Sequence, residues 1–340
     1  MNKTQLIREI WRGTTPTARR ARRAIKILFL ITLFIVLFWI VPIRDVIYAL
    51  LNADPLYIFL GLILVFPVVF LGAVQLKLLI RRLGISLSVL QILGINLTIK
   101  FYMLFMPNAF VGSGLRWYKF SKPDGKTAEA LAAVAFNRIL DTFLVVVIGL
   151  GFWILSGDQV IQKGGIGLVI IIIGTVGFWY VLTRVSLPIY KWFTSRFMNH
   201  EEESFWYRLV KKTGQLMVAV STYAEFSVWE LLLVITIGTA RNLINVVSFL
   251  LLSKSVGIEL SYIDMGWIQS VVTLTALLPF SIGEGLGYRE VSLVAILGTF
   301  GISADLALAF SFIIFIRSVM LGLVGGVIEA VQTLQVKGQA

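Results

Sequence analysis

The sequence contains no cysteine and only one histidine. Disulfides, thiolate nucleophiles, zinc–thiolate sites and haem–cysteine links are therefore excluded. The histidine, His200, stands in the polar run NHEEES and reads as a solvated surface residue rather than a ligand. Histidine-rich desaturase and HExxH metalloprotease chemistry have no residues to work with. No GxxxxGK[ST] phosphate loop occurs, so the chain has no such means of hydrolysing ATP. Charge is scarce as well: 14% of residues are charged, 58% are hydrophobic, and the mean hydropathy is +0.90. A soluble domain is about half apolar and about a quarter charged.

What is abundant is apolar sequence in runs of near-membrane length. Spans are expected at about 27–43, 55–80, 128–155, 164–184, 228–252 and 303–332. Ten-residue alternating segments, the mark of a β-barrel, do not appear. The expected fold class is all-α, a polytopic integral membrane helical bundle. The net charge of +12 is uneven, with eight Lys or Arg in residues 1–26. That block abuts the first apolar run, where it meets anionic lipid headgroups, so nucleic acid is not the expected partner. No small-residue cleavage site follows the run, which reads as a retained anchor with a cytoplasmic N-terminus. The expected organisation is a basic segment 1–26, one transmembrane domain 27–333 with a cytoplasmic amphipathic segment 185–227, and a short tail 334–340.

Two further apolar segments, about 88–107 and 260–280, run into breaks of similar order. In LFMPNAFVGSGLRWYKF, Pro107, Gly112, Gly114 and Arg116 follow one another; in LLPFSIGEGLGYREV, Pro279, Gly283, Gly285 and Arg289 do. Proline and glycine also end ordinary helices at loops. Charge arbitrates in favour of re-entry. If both segments enter and leave on one face, the N-terminus, Arg81, Arg82, Arg116, Lys119, Lys122, Lys126 and residues 184–227 gather on the cytoplasmic side. Only Arg44, Lys163 and Lys254 then face outward. The expectation is two re-entrant, Pro/Gly-broken helical hairpins in an inverted repeat, a pattern that points to a transporter site near the midplane.

Charges within spans are costly, so each needs a reason. Arg138 lies about 15 Å into its span, and Arg241 and Arg317 stand near the centres of theirs. Arginine keeps its charge and grips phosphate bidentately, which suits an anionic headgroup. The competing explanation is internal pairing. Arg138 and Asp141, three apart, are able to neutralise each other, and Glu284 or Glu290 to pair with Arg289, Arg241 or Arg317. Arg241 and Arg317 have no carboxylate within a turn of their own helix. Lys100 (with Asn96 one turn earlier), Asn242 and Asn245 complete the candidate headgroup contacts, although such residues also glue helices together.

The motifs PNAFVGSGLRWYKF, FNRILDT and LPFSIGEGLGYREV resemble the flippase-like family, the transmembrane region of lysylphosphatidylglycerol synthases, also called the multiple peptide resistance factor membrane domain. The resemblance covers roughly residues 25–333 and implies movement of a polar lipid between leaflets of the cell membrane. In fused members the lipid is an aminoacylated phosphatidylglycerol made by a soluble C-terminal domain. That domain is not expected here, which leaves open the lipid and whether a separate lipid-modifying enzyme is a partner. Relatives without it are associated with polyprenyl-linked or other glycolipid pathways. The reading is a lipid transporter without cofactor, metal or catalytic residue, moving an anionic phospholipid or polyprenyl-linked lipid through an arginine-lined cavity. An intramembrane transferase acting on a lipid-linked sugar through Asp141, Glu284 and Glu290, or a non-transporting partner subunit, are the alternatives.

Overall fold

The computed structural model describes residues 51–105, 108–156, 222–276 and 287–335, with positions 169, 172–174, 177, 180 and 188. The basic N-terminus, the first expected span, Pro107, Pro279, Gly283, Glu284, Gly285 and nearly all of segment 185–227 lie outside the described residues. Every regular element among those described is helical. The helices are α1 (Pro55–Ile63), α2 (Val65–Arg82), α3 (Val89–Met103), α4 (Asn108–Ser121), α5 (Thr127–Leu155), α6 (Val228–Lys254), α7 (Tyr262–Thr275), α8 (Tyr288–Thr299) and α9 (Ala304–Gln335). Four stretches are long and apolar enough to cross a membrane: Pro55–Arg82, Thr127–Leu155, Val228–Lys254 and Ala304–Leu334. The protein is an integral membrane protein with these four candidate spans.

Local sequence explains the boundaries. Asp54 caps α1, accepting from the Leu56 N–H at 2.8 Å, and Pro55 opens the helix where no N–H is needed. The α1–α2 span is interrupted at Leu64. Pro67 explains the interruption, because its ring crowds the carbonyl four residues earlier and offers no N–H to it. α2 ends in Gly84 (φ 69°), with Ile85 N–H donating to the Ile80 carbonyl at 3.1 Å. α6 ends in the same way at Gly257 (φ 80°), with Ile258 N–H donating to the Ser253 carbonyl at 3.1 Å. Each cap is followed by a serine that starts the next helix. Ser88 accepts from Gln91 N–H to open α3, and Ser261 accepts from Asp264 N–H to open α7. The two turns read Gly-Ile-Ser-Leu-Ser and Gly-Ile-Glu-Leu-Ser, 173 residues apart.

These turns sit at opposite ends of the bundle. At one end Arg82 pairs with Glu230 at 2.8 Å, Lys126 reaches the Gly84 carbonyl at 2.8 Å, and Ser86 donates to Asp124. Ile85, Leu87, Phe120, Ala130 and Tyr223 pack together there. At the other end the Asp54 N–H donates to the Ser255 carbonyl at 2.8 Å, and Ala53, Ile258, Leu297 and Ala307 share a core. Hence α3 starts and α4 finishes at the first end, while α7 starts and α8 finishes at the second.

Packing crosses between these pairs. α3 lies along α9, and α7 along α5. Glycine makes both approaches possible. A Cβ at Gly325 would overlap the Leu97 carbonyl of α3, and one at Gly149 would come within 2.5 Å of Ser270 of α7. The break expected at Gly112 and Gly114 is not there: both lie within helical α4. Gly112 serves packing, since a Cβ would stand 3.1 Å from Met103 Sδ. Helix α4 begins at Asn108, directly after Pro107, as proline favours.

Candidate functional site

The centre of the bundle is built where α2 crosses α6. Gly72 lets the Arg241 side chain lie against α2, because a Cβ there would be 3.3 Å from Nη1. One turn away, a Cβ at Gly238 would stand 3.2 Å from Gln75 Oε1, so the two helices close around Gln75, which is fully buried. Three donors from three helices converge on Asp141 of α5. Arg241 Nη2 donates to Oδ1 at 2.7 Å, Gln75 Nε2 to Oδ1 at 2.9 Å, and Asn137 Nδ2 to Oδ2 at 3.0 Å.

This network corrects one expectation. Asp141 forms its salt bridge with Arg241 across the bundle, and none with Arg138 on its own helix. The guanidinium of α6 arrives from the facing helix, whereas Arg138 lines the cavity described below and forms no salt bridge among the described residues. Gln75 and Asn137, which hold the carboxylate, were not singled out in the sequence. A polar side chain in the apolar run 55–80, shared there with Lys77, was the available signal for Gln75.

Above the network lies a cavity of about 330 Å³. Lys100, Arg116, Arg138, Asp141, Arg241, Asn242, Asn245 and Arg317 all line it, as does Asn96, together with Gln269 and Thr273 of α7. Its charged wall among the described residues is five cations to one carboxylate. Arg317 Nη2 donates to Asn245 Oδ1 at 2.6 Å, and its guanidinium lies 5.4 Å from the Phe249 ring centroid. Asn242 points along its own helix, donating to the Gly238 carbonyl at 2.9 Å.

An adjoining lobe of about 270 Å³ shares Lys100, Arg138, Asn245 and Arg317 with the first and adds Arg289. Arg289 is 2% exposed. Its Nη2 donates to Glu290 Oε1 at 2.9 Å and its Nε to Ser311 Oγ at 2.9 Å, while Ser311 donates to the same carboxylate oxygen at 2.6 Å. Glu290 also accepts from the Gly287 N–H, fixing the start of α8. Glu290 therefore positions Arg289 and lines neither lobe; Ser311, after Gln75 and Asn137, is a third residue that sequence reasoning missed. Gly112 and Gly114 stand outside both linings.

A third polar group ties α3 and α4 to α9. Lys119 Nζ lies 2.5 Å from Glu329 Oε2, and the Tyr102 hydroxyl donates to Oε1 at 3.4 Å. Glu329 is 4% exposed, so this pair is shielded from water.

Residues 23–326 match the family described as lysylphosphatidylglycerol synthase TM region. No curated protein and no solved structure shows a significant match to the chain.

Proposed function

The chain belongs to the lysylphosphatidylglycerol synthase TM region family, and on that footing we propose that it moves an anionic lipid between the leaflets of the cell membrane. The observation that carries this reading is the cavity wall, five cations against one carboxylate inside an apolar bundle. Such a concentration of charge is costly in lipid and is met where a polar ligand or water passes. The headgroup occupies the cavity and its phosphate lies against Arg138, Arg241 and Arg317. The acyl or prenyl tails stay in the bilayer.

The pairs α3–α4 and α7–α8 are re-entrant hairpins related by an inverted repeat. Helix α3 has 15 residues, about 22 Å, which is short for a hydrocarbon core of about 30 Å. The hydrogen bonds between Ser86 and Asp124, at the two outer ends of α3 and α4, support entry and exit on one face. The matching Gly-Ile-x-Leu-Ser turns at opposite ends support the inversion, as does the exchange in which each leading helix packs on the span that follows the other hairpin. Arg81, Arg82, Lys122 and Lys126 cluster at the Ser86 end, which is the cytoplasmic one under the positive-inside rule.

Transport is favoured over transferase chemistry because Asp141 and Glu290 each serve a separate arginine. The test is movement of labelled anionic lipid in proteoliposomes by the wild type, Arg241→Ala and Arg317→Ala. Loss of movement in variants that remain folded is expected. Movement at the wild-type rate in both would falsify the reading.

A further inference from the structure

We propose that the cavity takes a headgroup carrying two phosphate groups, one in each lobe, in preference to a single phosphate. This inference rests on the anionic-cavity reading above and specifies its ligand. The two lobes differ in part of their lining and share the cations Lys100, Arg138 and Arg317. Each lobe has an arginine that the other lacks, Arg116 in the first and Arg289 in the second.

Both arginines hold a buried donor with no hydrogen-bond partner, Nε of Arg116 and Nη1 of Arg289. Buried donors are nearly always satisfied, because leaving one unmade costs its full desolvation. For Arg289 the arrangement is directional. Nε and Nη2 are committed to Ser311 and Glu290, which leaves Nη1 as the nitrogen available to the lobe that Arg289 lines. An acceptor-rich anion in each lobe satisfies both donors, and phosphate supplies charge and several acceptor oxygens at once. A single phosphate held in one lobe leaves unmade the donor of the arginine that only the other lobe has. The three shared cations then lie between two anionic groups instead of against one another.

The ligand is tested on the full chain purified in detergent, by calorimetric binding of four probes. These are a short-chain prenyl diphosphate, the monophosphate of the same chain, inorganic diphosphate and inorganic phosphate. The wild type is expected to bind the prenyl diphosphate roughly tenfold more tightly than the monophosphate, the scale set by one additional charge-assisted contact. Arg289→Lys, which keeps the charge but not the fork, and Arg116→Gln are each expected to weaken the diphosphate more than the monophosphate and so to shrink that ratio. Inorganic diphosphate binding as tightly as the lipid, and better than phosphate, supports the same chemistry with a free anion as its source. Equal binding of the two lipids by the wild type overturns the proposal while leaving an anion cavity standing. No binding of any probe overturns both. The wild-type comparison does not depend on either variant folding.

Discussion

Ser86 and Asp124 are joined by the Ser86 N–H at 2.9 Å and the Ser86 hydroxyl at 2.9 and 3.0 Å, across 38 residues of sequence. One precedes α3 and the other follows α4, so the bonds clamp the two outer ends of the pair together. The clamp is exposed to water, and its strength therefore depends on the charge of the carboxylate.

The Ser86 backbone N–H and then its hydroxyl hold the Asp124 carboxyl below its usual pKa. A depressed carboxyl contributes stability that is present above the unfolded pKa, about 3.9, and is lost as pH falls through the lower folded value. Thermal unfolding in detergent is expected to show the wild type losing stability below about pH 4 more steeply than Asp124→Asn. Parallel profiles for the two proteins would mean that the clamp contributes nothing.

The Arg241–Asp141 pair predicts a different response. Both side chains are largely buried, at 18% and 25% exposed, and removing one partner strands the other. Asp141→Asn is expected to cost about 1–3 kcal/mol, read as a lower unfolding temperature. Adding Arg241→Gln to that variant should restore part of the loss, because the stranded cation is gone. Additive losses in the double-mutant cycle would show that the two do not act as a pair.

Much of this site was legible in sequence, and the part that was not has a physical reason. Arg138, Arg241 and Arg317 stand at similar depth in their spans, so costly charge alone marked them, and they do line one cavity. The partner of Asp141 was hidden because sequence proximity ranks Arg138 first. The crossing of α2 and α6 at Gly72 and Gly238 decides in favour of Arg241, and a crossing leaves no trace in residue spacing. Gly112 and Gly114 read as a break because glycine is a poor helix former. In α4 the helix runs through both residues. The repeat of Gly-Ile-Ser-Leu-Ser as Gly-Ile-Glu-Leu-Ser was readable in sequence, but its meaning depends on the caps that the glycine and serine form.

The glycines themselves separate into two kinds. Gly325 has the Leu97 backbone where a Cβ would stand, so Gly325→Ala has to push α9 from α3 and is expected to lower the unfolding temperature. Gly114 is helical with nothing within 4 Å of a Cβ. Gly114→Ala should be neutral or stabilising by about 0.5–1 kcal/mol, through helix propensity. Equal effects at the two positions would contradict the close approach of α3 and α9.

The absence of cysteine makes the hairpin topology directly measurable. Single-cysteine variants Ser86→Cys and Asp124→Cys place probes before α3 and after α4, and Glu259→Cys and Gly301→Cys do so before α7 and after α8. Because α3 and α4 share one end of the bundle, 86 and 124 are expected to react with an impermeant maleimide from the same side of sealed vesicles. Positions 259 and 301 should react only from the other side, since the Asp54–Ser255 end lies a full span away. Gly301→Cys is strained at φ 74°, so Ser303→Cys, two residues on, is its substitute if that protein does not fold. Labelling of 86 and 124 from opposite sides would make α3 and α4 a full crossing. The inverted repeat would then fail with it, because α7 and α8 would no longer mirror them.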